Sequence, residues 1–148
     1  MALLQSVSGI RGIYNKDLTE STAVKYAYAY YSFLKNKTKK NTPTIVIGMD
    51  TRPSGIRLSD AIMGILDCNF IDVGIAPTPA VEFAVRYLNA DGGIIITASH
   101  NETEFNGFKF LDKDGALLRP EDIESVINNS HLINNINTVL CFNNLYTI

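Results

Sequence analysis

Thr97-Ala98-Ser99-His100-Asn101, followed by Asn106-Gly107-Phe108-Lys109, brings two hydroxyls, an imidazole, two carboxamides and an ammonium into one short stretch. Ser99 stands where the apolar run Gly93-Ile94-Ile95-Ile96 ends and a polar loop begins. Catalytic groups of α/β folds project from loops beyond the carboxyl ends of such buried strands, so Ser99 is the leading candidate for a reacting group. The loop is suited to phosphoryl chemistry. His100 follows Ser99 directly, their side chains point apart, and no Gly-x-Ser-x-Gly elbow is present, so a hydrolase triad is not expected. His131 is the only other histidine. His100 is read as lining the site, orienting the loop or contacting phosphate, with a structural role as the alternative. Asn101, Asn106 and Gly107 shape the loop, because Asn and Gly tolerate left-handed backbone and Asn bonds nearby amides.

The elements that position this loop follow from periodicity. Apolar residues Val24, Ala27, Tyr28, Tyr31 and Leu34 recur at helical spacing between Thr19 and Lys37, with Thr19 or Ser21 as the cap, which predicts a long amphipathic helix. Thr44-Ile45-Val46-Ile47-Gly48 reads as a buried strand whose polar exit is Asp50-Thr51-Arg52-Pro53-Ser54. A helix over 54–66 and a short strand over 70–73 follow. Gly74 to Pro79 forms a rigid turn in which Thr78 caps a helix running to about Leu88, with Pro79 at its first position. Phe108–Leu111 and Ala116–Leu118 flank Asp112-Lys113-Asp114-Gly115, a hairpin signal, and Pro120-Glu121-Asp122 opens a last helix. The fold class expected is α/β: a single layered domain with a mixed, mainly parallel β-sheet flanked by helices, plus a C-terminal hairpin and helix.

The 148 residues have room for one core, and the composition is that of a globular chain. Net charge is −2. Lys35, Lys37, Lys39 and Lys40 cluster where the first helix ends, which the macrodipole favours, so no nucleic-acid partner is expected. No charged leader with an apolar run and no stretch of about twenty apolar residues occurs, so neither a signal peptide nor a membrane partner is expected. Cys68 and Cys141 lack metal or redox spacing and suit a reduced, cytoplasmic compartment, with Cys68 in the core. The domain is assigned to residues 1–128, and 129–148 form an atypical Asn-rich tail. The tail reads either as an irregular docking segment or as readthrough beyond an interrupted reading frame.

Four motifs in order, Ser8-Gly9-Ile10-Arg11-Gly12, Gly48-Met49-Asp50-Thr51-Arg52, Pro77-Thr78-Pro79 and the segment 97–109, resemble the N-terminal domain of the α-D-phosphohexomutases, the phosphoglucomutase and phosphomannomutase family. The resemblance covers most of residues 6–125. It implies that Ser99 carries a phosphoryl group, donates it to a hexose 1-phosphate or 6-phosphate, and recovers phosphate from the hexose 1,6-bisphosphate intermediate, which also acts as activator. It implies Mg²⁺ with the phosphoserine oxygen of Ser99 as one ligand, the others lying in an Asp-Gly-Asp loop of a second domain that Asp91-Gly92 and Asp114-Gly115 do not match. It makes Lys109 a proton carrier beside the serine, where a surface lysine in a strand is the alternative. Arg11 presents a forked cation to phosphate, with glycines around it allowing close backbone approach. Asn101, Asn106 and Gly107 complete the phosphate- and substrate-binding set.

Glu102 stands where that family usually has proline. Asp50 and Arg52 are read as a local ion pair holding the strand exit. Gly9 and Gly12 lack the third glycine of a dinucleotide fingerprint. The expected activity is mutase chemistry on a hexose phosphate, with missing domains supplied by a separate polypeptide. The alternative is a noncatalytic homologue that binds or self-associates, or a vestige.

Overall fold

The computed structural model describes residues 3–133. The tail readings beyond residue 133, and Cys141, lie outside them. The chain runs β1 (Leu4–Ser6), β2 (Gly9–Ile13), α1 (Glu20–Thr38), β3 (Thr44–Met49), α2 (Gly55–Ile65), β4 (Asn69–Ile75), α3 (Thr78–Tyr87), β5 (Gly92–Ile96), β6 (Phe105–Leu111) and α4 (Pro120–Leu132). All six strands form one sheet in the order β1-β2-β6-β5-β3-β4. The pairs β1–β2, β2–β6 and β5–β6 are antiparallel, and β3–β4 and β3–β5 are parallel.

The mixed sheet between helices is therefore as predicted, while its mainly parallel character is corrected, since three of the five pairings are antiparallel. The cause lies in two short connections. β5 returns directly as β6, which permits only an antiparallel neighbour. The N-terminal hairpin β1–β2 adds another such pair and carries no alternating apolar signal, because Leu4–Ser6 is exposed and Gly9–Ile13 contains two glycines.

Period-two alternation divides the core into two layers. Ile45, Ile47, Ile94, Ile96, Phe108 and Phe110 face α1, α2 and α4, whereas Val46, Ile95 and Leu111 face Val81 and Val85 of α3. Helix α1 starts as predicted, with Thr19 Oγ1 accepting from the Thr22 amide at 3.3 Å. Its burial is wider than an amphipathic stripe: Tyr26, Ala29 and Tyr30 join Ala27, Tyr31 and Leu34 in the core. The reason is position, since α1 packs on the sheet and also against α2 and α4. Tyr30 crosses to the sheet, donating to the Leu111 carbonyl at 2.6 Å and accepting from the Gly93 amide at 2.9 Å. Burial raises its pKa.

The lysine-rich end of α1 closes on Lys39 in left-handed conformation. Lys40 pairs with Asp91 at 2.7 Å and Lys37 with Asp122 at 3.6 Å. Thr78 is the first residue of α3 rather than its cap, and Pro79 follows within that first turn, where missing amide hydrogens cost nothing. The turn at Asp112–Gly115 forms with Gly115 at φ +76, but it closes on a single bridge, Leu111 to Leu117, instead of a second strand. Cys68 is half-buried and packs against the main core.

Candidate functional site

The carboxyl ends of β3 and β5 lie side by side, with Met49 opposite Ile96, so the chain leaves both strands at adjacent points, Asp50 and Thr97. The Asp50 amide donates to the Ile96 carbonyl at 3.1 Å, and the Thr97 amide to the Gly107 carbonyl at 2.9 Å, which closes the base of the loop 97–104. Its tip is a tight turn in which the Asn101 amide donates to the Ala98 carbonyl at 3.1 Å.

Ser99 sits in that turn, exposed, at φ +58. Left-handed backbone costs a residue with a β-carbon about 1–2 kcal/mol, so neighbouring contacts must hold it. The Ser99 amide donates to Thr97 Oγ1 at 2.9 Å, and its carbonyl accepts from Arg52 Nη2 at 3.0 Å. Thr97 Oγ1 in turn donates to Asp50 Oδ2 at 2.7 Å.

Arg52 holds much more than the strand exit. Its Nε donates to Asp50 Oδ2 at 3.0 Å, the local ion pair expected from sequence. Nη2 also donates to the Asn101 carbonyl at 2.7 Å, and Nη1 to the Phe105 carbonyl at 3.0 Å and to the Glu102 carbonyl. One guanidinium therefore gathers three carbonyls of the Ser99 loop and the carbonyl of Phe105, where β6 begins. No sequence signal marked this, because the partners lie about fifty residues away in chain order.

A cationic face borders the loop. Arg11 is opposite Gly107 in the β2–β6 pair, and Lys109 lies two residues along β6 on the same face of the sheet. Arg11 Nη1 donates to Asn101 Oδ1 at 3.0 Å, and no other hydrogen bond engages this guanidinium among the described residues. Gly107 makes this possible: a β-carbon there would come within 2.1 Å of the Ile10 carbonyl oxygen and 3.1 Å of Arg11 Cγ. Lys109 is half-buried and has no carboxylate partner among the described residues.

The remaining candidates separate. Asn106 is fully buried, its Nδ2 donating to Ser54 Oγ at 2.8 Å and its Oδ1 accepting from the Gly107 amide at 2.8 Å. Its amide is thus spent beneath the loop. His100 is exposed at the tip and makes no side-chain hydrogen bond among the described residues. A cleft of about 350 Å³ opens on the flank formed by Thr103 and Glu104, with Tyr14 and Arg57 on its wall. Burial, and then the Glu20 carboxylate that accepts the Tyr14 hydroxyl, raise the pKa of Tyr14. Sequence reasoning named neither Tyr14 nor Arg57.

Among the described residues no group of three His, Cys, Asp or Glu side chains could hold a metal ion. Asp50, the carboxylate nearest in the network to Ser99, is committed to Arg52 and Thr97. The donor set of the described residues alone does not fit a Mg²⁺ site. No helix among the described residues is long and apolar enough to cross a membrane.

Residues 3–135 match the family model described as phosphoglucomutase/phosphomannomutase, alpha/beta/alpha domain I. A phosphoglucomutase/phosphomannomutase of Thermococcus kodakarensis is 46% identical over 124 residues, which is 82% of this chain and 27% of that protein. A phosphoglucosamine mutase of Acetivibrio thermocellus is 44% identical over 133 residues, 86% of this chain and 29% of its own length. The crystal structure of a phosphoglucomutase/phosphomannomutase family protein from Burkholderia thailandensis superposes with a TM-score of 0.70 at 26% identity, covering 86% of this chain and 31% of that one. The chain thus spans under a third of the length of these relatives.

Proposed function

The chain belongs to the phosphoglucomutase/phosphomannomutase family as its alpha/beta/alpha domain I, and on that premise we propose that it is the phosphoserine domain of a hexose phosphomutase. In the proposed step a hexose-phosphate hydroxyl attacks phosphorus, the bond from phosphorus to Ser99 Oγ breaks, the serine oxygen gains a proton and the sugar hydroxyl loses one. The reverse step, from hexose 1,6-bisphosphate, restores the phosphoserine. The sugar and metal contacts come from domains beyond the described residues, which build no metal site of their own.

One observation carries the reading: an exposed serine held in left-handed conformation, both of its backbone polar groups bonded, in a turn bonded to an arginine that makes one hydrogen bond among the described residues. Arg11 is the residue of this chain that meets the transferring phosphoryl, since a guanidinium matches phosphate oxygens with paired donors. Lys109 moves the proton between the serine oxygen and the sugar hydroxyl. It shares a sheet face with Arg11 and has no carboxylate partner among the described residues. His100, at the exposed tip, contacts phosphate or the incoming sugar. Asn101 links Arg11 to the loop, and Asn106 with Gly107 supports the loop from below. Mg²⁺ would neutralise charge on the transferring group, with phosphorylated Ser99 as one ligand.

Complementation tests the proposal. The remaining domains of a relative, added as a separate chain, should give Mg²⁺-dependent interconversion of hexose 1- and 6-phosphates that Ser99→Ala abolishes. Absence of turnover at high concentrations of both chains, each shown to be folded, would contradict it and leave the noncatalytic, self-associating alternative.

A further inference from the structure

We infer that Asp50, Arg52 and Thr97 form a backbone lock whose function is to hold Ser99 in its left-handed conformation before any other domain docks. The purpose of the lock rests on the phosphoserine reading, while its existence rests on hydrogen bonds alone.

An arginine side chain carries five N–H donors and no acceptor. In Arg52 the Nε hydrogen goes to Asp50 Oδ2, the two Nη1 hydrogens go to the carbonyls of Glu102 and Phe105, and the two Nη2 hydrogens go to those of Ser99 and Asn101. Every donor is used inside the protein. Arg52 therefore has nothing left to offer a phosphate, and its side chain is 9% exposed. It is a positioning residue, unlike Arg11, whose guanidinium makes one hydrogen bond among the described residues.

The two backbone groups of Ser99 lead back to one carboxylate by separate routes. The carbonyl is held by Arg52, whose Nε is anchored on Asp50 Oδ2; the amide is held by Thr97 Oγ1, whose proton is given to the same oxygen. Asp50 Oδ1 accepts the Arg52 amide at 3.0 Å, which fixes the carboxylate itself. Asp50 and Thr97 sit at the exits of two adjacent parallel strands, so the anchor is as rigid as the sheet. A site on such supports is preorganised, and a nucleophile whose direction is set in advance loses no orientational freedom in the reaction. Lysine cannot replace Arg52, because three donors on one nitrogen do not span four carbonyls.

The test is NMR on the isotopically labelled full chain. A strong intraresidue cross-peak between the amide and Hα protons marks positive φ at Ser99 in the native chain. Thr97→Val and Arg52→Lys each remove one route and should lower the left-handed population about tenfold, whereas Thr97→Ser, which keeps the hydroxyl, should restore it. Unchanged amide shifts in Ile45–Ile47 show that the sheet stays folded, and if Arg52→Lys fails this check, Thr97→Val decides. A native Ser99 signature in the folded variants would overturn the lock. Phosphorylation by hexose 1,6-bisphosphate is read separately, with the remaining domains of a relative present. Arg52→Lys should slow transfer while leaving the KM for hexose phosphate unchanged, and a rise in KM alone would overturn the positioning role. If the native chain takes up no phosphate while Ser99 responds to the variants as expected, the phosphoserine reading fails and the lock stands.

Discussion

Arg11 Nη1 lies 3.0 Å from Asn101 Oδ1, across a separation of 90 residues, and this bond ties strand β2 to the turn that carries Ser99. Asn101 is shared by two arginines: its side chain takes Arg11 and its carbonyl takes Arg52. One cation is used up in building the loop and the other makes one hydrogen bond to it among the described residues, so the two should respond differently to substitution.

Arg11→Ala should lower the rate of Ser99 phosphorylation by hexose 1,6-bisphosphate about 10- to 100-fold, the equivalent of one or two charge-assisted hydrogen bonds. The urea midpoint should change little, because Arg11 is only half-buried. Comparing phosphate incorporation with urea unfolding separates the two effects. A large loss of stability with native phosphorylation of the folded fraction would make Arg11 structural.

Tyr30→Phe removes the partner of two buried backbone groups, the Gly93 amide and the Leu111 carbonyl. Leaving such groups unpaired costs about 1–3 kcal/mol each, so the variant should lose about 3 kcal/mol in urea unfolding. The space around the hydroxyl is already tight, since a β-carbon on Gly92 would come within 2.0 Å of it. A loss below about 1 kcal/mol would mean that water or a shifted strand replaces the hydroxyl.

Gly107→Ala places a methyl group against the Ile10 carbonyl and the Arg11 stem. Overpacking of this kind costs about 1–3 kcal/mol. It should also move Arg11 away from Asn101. Thermal unfolding reads the first effect, and the NMR signal of the Asn101 side-chain amide reads the second. A native Tm together with a native Asn101 signal would show that β2 and β6 separate freely here.

Cys68 supplies a pH dependence. Burial, and then the Asp67 carboxylate, push its thiol up from 9.0 to about 12. The folded chain keeps this proton more tightly than the unfolded chain does, so its contribution to stability is complete below pH 9 and is lost as the pH rises to about 12. Cys68→Ala should therefore flatten the fall in stability across that interval. Alkylation of the native chain at pH 8, followed by peptide mass spectrometry to distinguish Cys68 from Cys141, should be far slower at Cys68 than in denaturant. Equal rates would contradict the shift.

The parts of the fold legible in sequence were those whose signal is local. Thr19 caps α1 through its own hydroxyl, 44–48 is a β-branched run, and Asp112 and Gly115 carry the residue types their turn demands. Strands β1 and β2 were not legible, because an exposed triplet and a glycine-bearing segment become strands only through pairing, β1 with β2 and β2 with β6. Burial around α1 depends on helices distant in sequence, so Tyr26 and Tyr30 could not be told from exposed tyrosines. At the site, the motif marks which residues gather, but distance in chain order hides what each does. Arg52 looked like half of a local ion pair and proves to be the hub of the loop, and Asn106 sits inside the core, bonded to Ser54.

The central claim is that Ser99 accepts and donates a phosphoryl group. The most direct measurement is peptide mass spectrometry of the purified chain after incubation with Mg²⁺ and glucose 1,6-bisphosphate, with and without the remaining domains of a relative. The account predicts phosphate on the peptide containing Ser99, localised to that residue, absent in Ser99→Ala and removed again by hexose phosphate when the other domains are present. An unmodified Ser99 peptide in both mixtures, from chain shown to be folded, would contradict it.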